Sequence, residues 1–317
     1  MLTQNPMLHK IKNLTATVLI LAISLLPGFP ALQATTINQS GVDYIKSANQ
    51  NPWSTMALAA VGENIANTAH LENAPTSDAI SLAAPIMALV AAGSDPYAVG
   101  NRNYVAELKS FAADGQLGDP GLINDDIFGI LALVAAGESP TDSVILDAKN
   151  SILNTQNSNG SWGDTNLTAA AVMALLETGL SKTDPSIQNA ISFLHSSQND
   201  DGGFPFYYPE NPFTGEPDES DSSSDAWVLS MIYKLGEDPT SSSWTSNGLS
   251  AIDDLLSLQQ PSGYFAHSES FPDETSFSSI STAYAVVALA GFGYPVAKNT
   301  PGSSPNVSAH VRIEGSS

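Results

Sequence analysis

Six times along the chain, a run of small and branched apolar residues ends in a glycine. The runs are TMALAAVG to Gly62, PIMALVAAG to Gly93, GILALVAAG to Gly137, AAVMALLETG to Gly179, WVLSMIYKLG to Gly236 and YAVVALAGFG to Gly293. Recurrence of this kind means a repeat architecture, in which each unit buries its apolar face only against its neighbours. The closing glycine suits the left-handed residue that follows a helix end. Asp95-Pro96, Asp184-Pro185 and Asp238-Pro239 follow shortly after three of these glycines, as expected for a helix that must stop.

Between these runs lie segments of another kind, at 105–112, 144–153, 187–194 and 249–258, with apolar residues at helical spacing and polar ones elsewhere. The Ala-rich helices are apolar nearly all round and should be buried; the two-faced ones should lie outside them. Six inner and six outer helices predict an all-α fold, an α/α toroid of six helix pairs (an α6/α6 barrel), over residues 40–297. No run with strict strand alternation occurs between 40 and 296.

A second motif links outer to inner helices. It reads Gln156 to Gly160 and Trp162, Gln198 to Gly202 and Phe204, and Gln259 to Gly263 and Phe265, with a degenerate copy around Gly115. The glutamine is expected to bond orphan carbonyls at the end of its own outer helix. The glycine should make a tight turn, and the aromatic should pack under the next repeat.

This Gln-x-x-x-Gly-x-aromatic motif before a (Thr/Asp)-Ala-containing helix resembles the repeat of squalene and terpene cyclases. Protein prenyltransferase β subunits carry related repeats, and vitamin B12 carriers share the toroid without doing chemistry. The resemblance implies the toroid and leaves function open. Squalene-type cyclases protonate their substrate from an Asp-x-Asp-Asp motif, and none is present here. The nearest run is Asn124-Asp125-Asp126, where Asp126 is a weak catalytic candidate and first-turn acids are the simpler reading. The zinc site of the prenyltransferases needs a cysteine, and the chain has none.

The chain carries 32 acidic and 10 basic residues, a formal net charge of −22. Such a surface repels phosphate backbones, so nucleic acid is excluded as a partner. With no cysteine there are no disulfides and no thiolate metal site. Residues 1–34 read as a signal peptide, with Lys10 and Lys12 before the apolar run 14–26 and small residues near Ala34. Export to the cell surface or medium is therefore expected, with membrane contact only if that segment stays uncleaved. Residues 298–306 read as a linker. Residues 307–317 read either as the start of a truncated β domain, in the order that B12-carrier-like proteins show, or as a strand-like tail.

Eleven residues before the six glycines stand Asn51, Leu82, Asp126, Thr168, Asp225 and Thr282. Five are polar at the start of an otherwise apolar helix, so they either cap the helix or ring one mouth of the toroid. Two loops reach the same face. The loop at 204–225 carries Phe206, Tyr207, Tyr208 and Phe213 with Glu216, Asp218, Glu219 and Asp221, and is expected to be a solvated acidic loop. The loop at 262–277 carries Tyr264, Phe265, His267 and Glu269. The ligand-binding candidates are Trp162, Thr168, Phe204, Tyr207, Tyr208, Asp225, Tyr264, Phe265 and Thr282; none of the histidines pairs at metal-ligand spacing.

Three functions fit these features. The first is a non-catalytic exported binding module for a corrinoid, another amphiphile or a surface component. The second is a terpene-cyclase-like enzyme with an unorthodox acid. The third is a structural surface domain.

Overall fold

The structure, a computed structural model, describes residues 38–297. The signal-peptide reading of 1–34, the linker beyond 297 and the β-domain reading of 307–317 lie outside the described residues. No helix among the described residues is long and apolar enough to cross a membrane.

Six helices carry the apolar runs: α2 (Pro52–Ala60), α3 (Ile80–Ala91), α5 (Ile123–Ala135), α7 (Thr165–Glu177), α9 (Ser222–Leu235) and α11 (Ser278–Leu289). Each packs on the next, and α11 packs on α2, so the inner helices close into a ring. Alanine makes this spacing feasible, because small side chains let neighbouring helices approach closely. Ala169, Ala170 and Ala171 of α7 are all fully buried.

Each inner helix starts and stops where the sequence marks it. Asn51, Asp164 and Asp221 accept backbone N–H groups in the first turns of α2, α7 and α9. At the other end, Glu63, Ser94, Glu138, Leu180, Glu237 and Phe292 donate their N–H groups to carbonyls five residues back. In each case the residue before is a left-handed glycine, with φ between 72° and 94°. In the sixth repeat that glycine is Gly291, not Gly293 as expected. Gly293 instead permits a close approach, since a Cβ there would stand 2.6 Å from the Ser230 carbonyl of α9. The last inner helix is therefore shorter at its C-terminal end than its counterparts.

The outer layer departs from six full helices. It holds α1 (Gln39–Ser47), α4 (Tyr104–Lys109), α6 (Ser143–Asn154), α8 (Pro185–Ser197) and α10 (Ala251–Ser257). The second repeat has only a 3₁₀ turn, Ala69–Leu71. Two short hairpins, Ala112–Ala113 with Gln116–Leu117 and Thr245–Ser246 with Leu249–Ser250, shorten the segments expected at 105–112 and 249–258. Their tips are Asp114-Gly115 and Asn247-Gly248, all four with positive φ, the residues such tight turns demand. Strands of two residues carry no alternation to read.

The glutamine motif joins neighbouring repeats. Gln156 Nε2 donates to the Gly160 carbonyl (2.8 Å) and to the Ser186 carbonyl in the first turn of α8 (2.8 Å). Gln198 Nε2 does the same with Gly202 (2.8 Å) and Trp244 (2.9 Å), just before α10. The partners are thus the motif's own turn and the beginning of the next outer segment, not the end of the preceding helix. The motif glycine seals this joint, because a Cβ at Gly160 or Gly202 would stand 2.4–2.5 Å from backbone atoms of Asn189 or Leu249. At the third motif the next outer helix is α1, from the other end of the chain. Gln259 bonds there to Asn38 and Ser40.

The ring axis is occupied. Two residues after each of the six aligned helix-start positions stand Trp53, Ala84, Phe128, Ala170, Trp227 and Tyr284. Trp53 meets Phe128, Trp227, Tyr284 and Tyr294 edge to face, with ring centroids 5.0–6.1 Å apart. Alanine at the two remaining positions leaves room for these large rings.

Candidate functional site

The polar positions at the inner-helix starts play one part in four successive repeats. The backbone N–H of Leu117 donates to Asp126 Oδ1 (2.8 Å), and that of Trp162 to Thr168 Oγ1 (3.1 Å). Likewise Phe204 N–H donates to Asp225 Oδ1 (2.7 Å) and Phe265 N–H to Thr282 Oγ1 (3.0 Å). All four acceptors are buried. These four residues are thus neither the N-caps of their helices nor a ring around an open mouth; each is turned inward, where it fixes the preceding turn on its helix. Asp126 also accepts Ser151 Oγ (2.8 Å), and burial pushes its carboxyl up to about 6.

The aromatic candidates separate in the same way. Trp162 and Phe204 are core side chains, and the Trp162 indole donates to the Ile152 carbonyl (2.6 Å). Tyr264 is nearly buried, with its hydroxyl on the Pro272 carbonyl (2.8 Å). Tyr208 packs edge-on to Phe193, and Tyr207 lies between Phe206 and Phe213. Of the sequence candidates, only Phe265 lines the pocket described next.

That pocket has a volume of about 550 Å³ and opens at the N-terminal ends of α9 and α11. Its apolar walls are Phe206, Phe265, Phe271, Phe277, Ile280 and Tyr284. Tyr284 also belongs to the axial aromatic cluster, so the pocket reaches the centre of the ring. Its polar groups are Asn166, Asp221, Ser223, His267, Thr275, Ser278 and Ser281, with neither Lys nor Arg among them. The loop carrying Phe271 is held by Ser268 Oγ on Glu219 (2.7 Å) and by Tyr44 Oη on Glu274 (2.5 Å).

Asp221 is the buried acid of this pocket, with only 3% of its surface exposed. It caps α9: Oδ1 accepts Ser223 and Ser224 N–H (both 3.0 Å), and Oδ2 meets Ser224 Oγ. Burial raises its affinity for a proton, against those hydrogen bonds and the nearby His267. The His267 carbonyl accepts Ser222 N–H (2.9 Å), which keeps the histidine loop at the cap. Asp221 is thus not the solvated loop acid expected. Asp221-Ser-Ser-Ser before an apolar helix is an N-cap pattern, and that signal points to a helix start. Among the described residues no three His, Asp or Glu side chains gather as metal ligands would.

The squalene-hopene cyclase C-terminal domain model matches residues 91–290. The chain belongs to this family. Similar solved folds include the ent-copalyl diphosphate synthase from Streptomyces platensis, 19% identical with a TM-score of 0.53, covering 79% of this chain and 50% of that one. The type II terpene cyclase MstE from Scytonema is 15% identical at a TM-score of 0.53, covering 81% of this chain and 97% of that one. A protein from Actinoplanes is 16% identical at a TM-score of 0.51, covering 81% and 98%. This chain thus spans half the synthase and nearly the whole of the other two. No curated protein matches the chain.

Membership of a squalene-hopene cyclase family overturns the first function expected from the sequence, a non-catalytic binding module for a corrinoid, another amphiphile or a surface component. The terpene-cyclase alternative takes its place. The toroid alone could not separate carriers from cyclases, because both are built on it.

Proposed function

We propose that this squalene-hopene cyclase family member is an enzyme that cyclises an isoprenoid chain in the pocket between α9 and α11, with Asp221 as the proton donor. The observation that carries this reading is a buried carboxyl group in the wall of a pocket whose apolar side is mainly aromatic rings. A carboxyl that keeps its proton through burial can act as an acid. The Asp221 O–H bond would break as its proton adds to an alkene carbon, leaving a cation on the more substituted neighbour. Further alkene electron pairs then close rings, until loss of a proton restores a double bond. The faces of Phe206, Phe265 and Tyr284 would stabilise the passing cations, and solvent would return a proton to Asp221 beside the exposed His267.

The pocket favours an uncharged chain. With no cation in its lining and Asp221 in its wall, it offers a diphosphate nothing to bind. Incubation with squalene, geranylgeraniol and geranylgeranyl diphosphate, followed by product analysis, tests the reading. A cyclic product from a neutral substrate that disappears in Asp221→Asn supports it. A product unaffected by Asp221→Asn rejects Asp221 as the acid, and no product from any of the three rejects cyclisation of these chains. Export is a further part of the proposal, resting on the pattern of residues 1–34; the N-terminal sequence of the mature protein tests it.

A further inference from the structure

Behind the pocket wall lies a pair of acids that the proposed chemistry does not use. Asp225, one turn along α9 from Asp221, is completely buried. Its partner Asp254 comes from α10, the outer helix packed on α9. The two carboxyl groups are in hydrogen-bond contact, yet neither Oδ2 receives a proton from any neighbouring donor. The nearby donors are committed elsewhere. Phe204 N–H goes to Asp225 Oδ1, and Ser220 Oγ and Gly203 N–H both go to Asp201 Oδ1. The fit is close, because a Cβ on Gly203 would stand 2.7 Å from Asp254 Oδ2. The other charged groups acting on the pair, Asp201, Asp221 and Glu269, are all acidic.

We infer that Asp225 and Asp254 share a single proton through their facing Oδ2 atoms, and that this proton clasps outer helix α10 to the inner helix that carries Asp221. Two ionised carboxylates at this contact would set two negative Oδ2 atoms against each other with no donor for either, whereas one retained proton satisfies both oxygens. Burial and the surrounding acids favour keeping the proton on the Asp225 side. Thr168 and Thr282, which fix the same turn in two other repeats, carry no charge and need no such partner. The clasp makes Asp225 and Asp254 positioning residues for the first turn of α9. It goes beyond the proposed cyclisation and stands whether or not Asp221 is the acid.

The test is denaturant unfolding of the full chain across pH 5 to 9, for the wild type and for Asp225→Asn and Asp254→Asn. An amide mimics the protonated acid, keeps the acceptor for Phe204 N–H at position 225, and cannot ionise. The wild type should lose about tenfold in folding constant for each pH unit between the ordinary carboxylate range and the pair's own raised titration, and level off beyond it. Asp225→Asn should flatten that slope and be the more stable protein at pH 9. Infrared spectra of the native proteins at pH 7 should show protonated carboxyl absorption in the wild type that is weaker by one group in both variants. A wild type whose slope matches both variants, or an Asp225→Asn protein weaker than wild type at pH 9, overturns the inference. Stabilisation of wild type by calcium or magnesium at pH 8, reversed by a chelator and absent in the variants, overturns it in favour of a bridging cation.

Discussion

The side-chain amides of Gln259 and Asn38 form a reciprocal pair across 221 positions of sequence. Gln259 Nε2 donates to Asn38 Oδ1 (2.8 Å), and Asn38 Nδ2 returns a bond to Gln259 Oε1 (3.0 Å). Together with the packing of α1 on α11, this pair closes the ring. Gln259→Ala should cost about 1–3 kcal/mol, because carbonyl and amide groups at a half-buried joint lose their partners. Equilibrium urea unfolding measures it, and a loss below about 0.5 kcal/mol would show that packing alone closes the seam.

Gly202→Ala should be more damaging than an alanine substitution at an ordinary helix glycine. Its φ is 88°, and the new Cβ would stand 2.5 Å from the Leu249 carbonyl carbon. Backbone strain and a clash with backbone add, for a loss of about 2–4 kcal/mol. The thermal unfolding midpoint reads this directly. A shift no larger than that of Gly137→Ala, where a Cβ meets open space at a similar φ, would show that the joint yields.

Asp126 separates a structural acid from a catalytic one. Its carboxyl is raised from 3.8 to about 6 by burial, so the folded state binds its proton more tightly than the unfolded chain does. The resulting stabilisation is fully present below about pH 4 and is lost as pH rises through 6. Asp126→Asn should remove that part of the pH dependence, seen as a flatter stability profile between pH 4 and 6. It should leave any cyclic product unchanged, because Asp126 bonds Leu117 and Ser151 and does not line the pocket.

Much of the fold is legible in the sequence, because its signals are local and repeated. The helix-ending glycines and the Gln-x-x-x-Gly-x-aromatic turns each report a backbone requirement that recurs in several repeats. The absence of a full second outer helix is legible too, since the stretch around Ala69–Leu71 has no helical periodicity, and only the count of six inner helices argues for a sixth partner there. The site is legible only in part. Phe265 stands out through its motif, whereas Asp221 reads as one acid among several in a polar loop. What buries it is the opposite loop with His267, Ser268 and Phe271, brought to it by the ring and not by sequence distance. Thr168, Asp225 and Thr282 share a regular spacing that does reflect a common role, but helix position does not say whether a side chain faces the mouth or the preceding turn.

Activity should fall as pH rises if Asp221 supplies the proton, since only its acid form can donate. Burial moves that fall upward from the ordinary carboxylate range. A pH–rate profile of product formation checks the sign: a rate that climbs with pH would assign the first step to a base.

The joint at Gln259 carries one further implication. Gln156 and Gln198 tie together segments that follow one another along the chain, whereas Gln259 ties the last motif to the first helix with the same chemistry. Geometry therefore gives the circle no first member, and gene order alone decides where counting starts. A circularly permuted version, opened in the loop before α8 and linked across the present ends of the ring, would meet the same set of joints in rotated order.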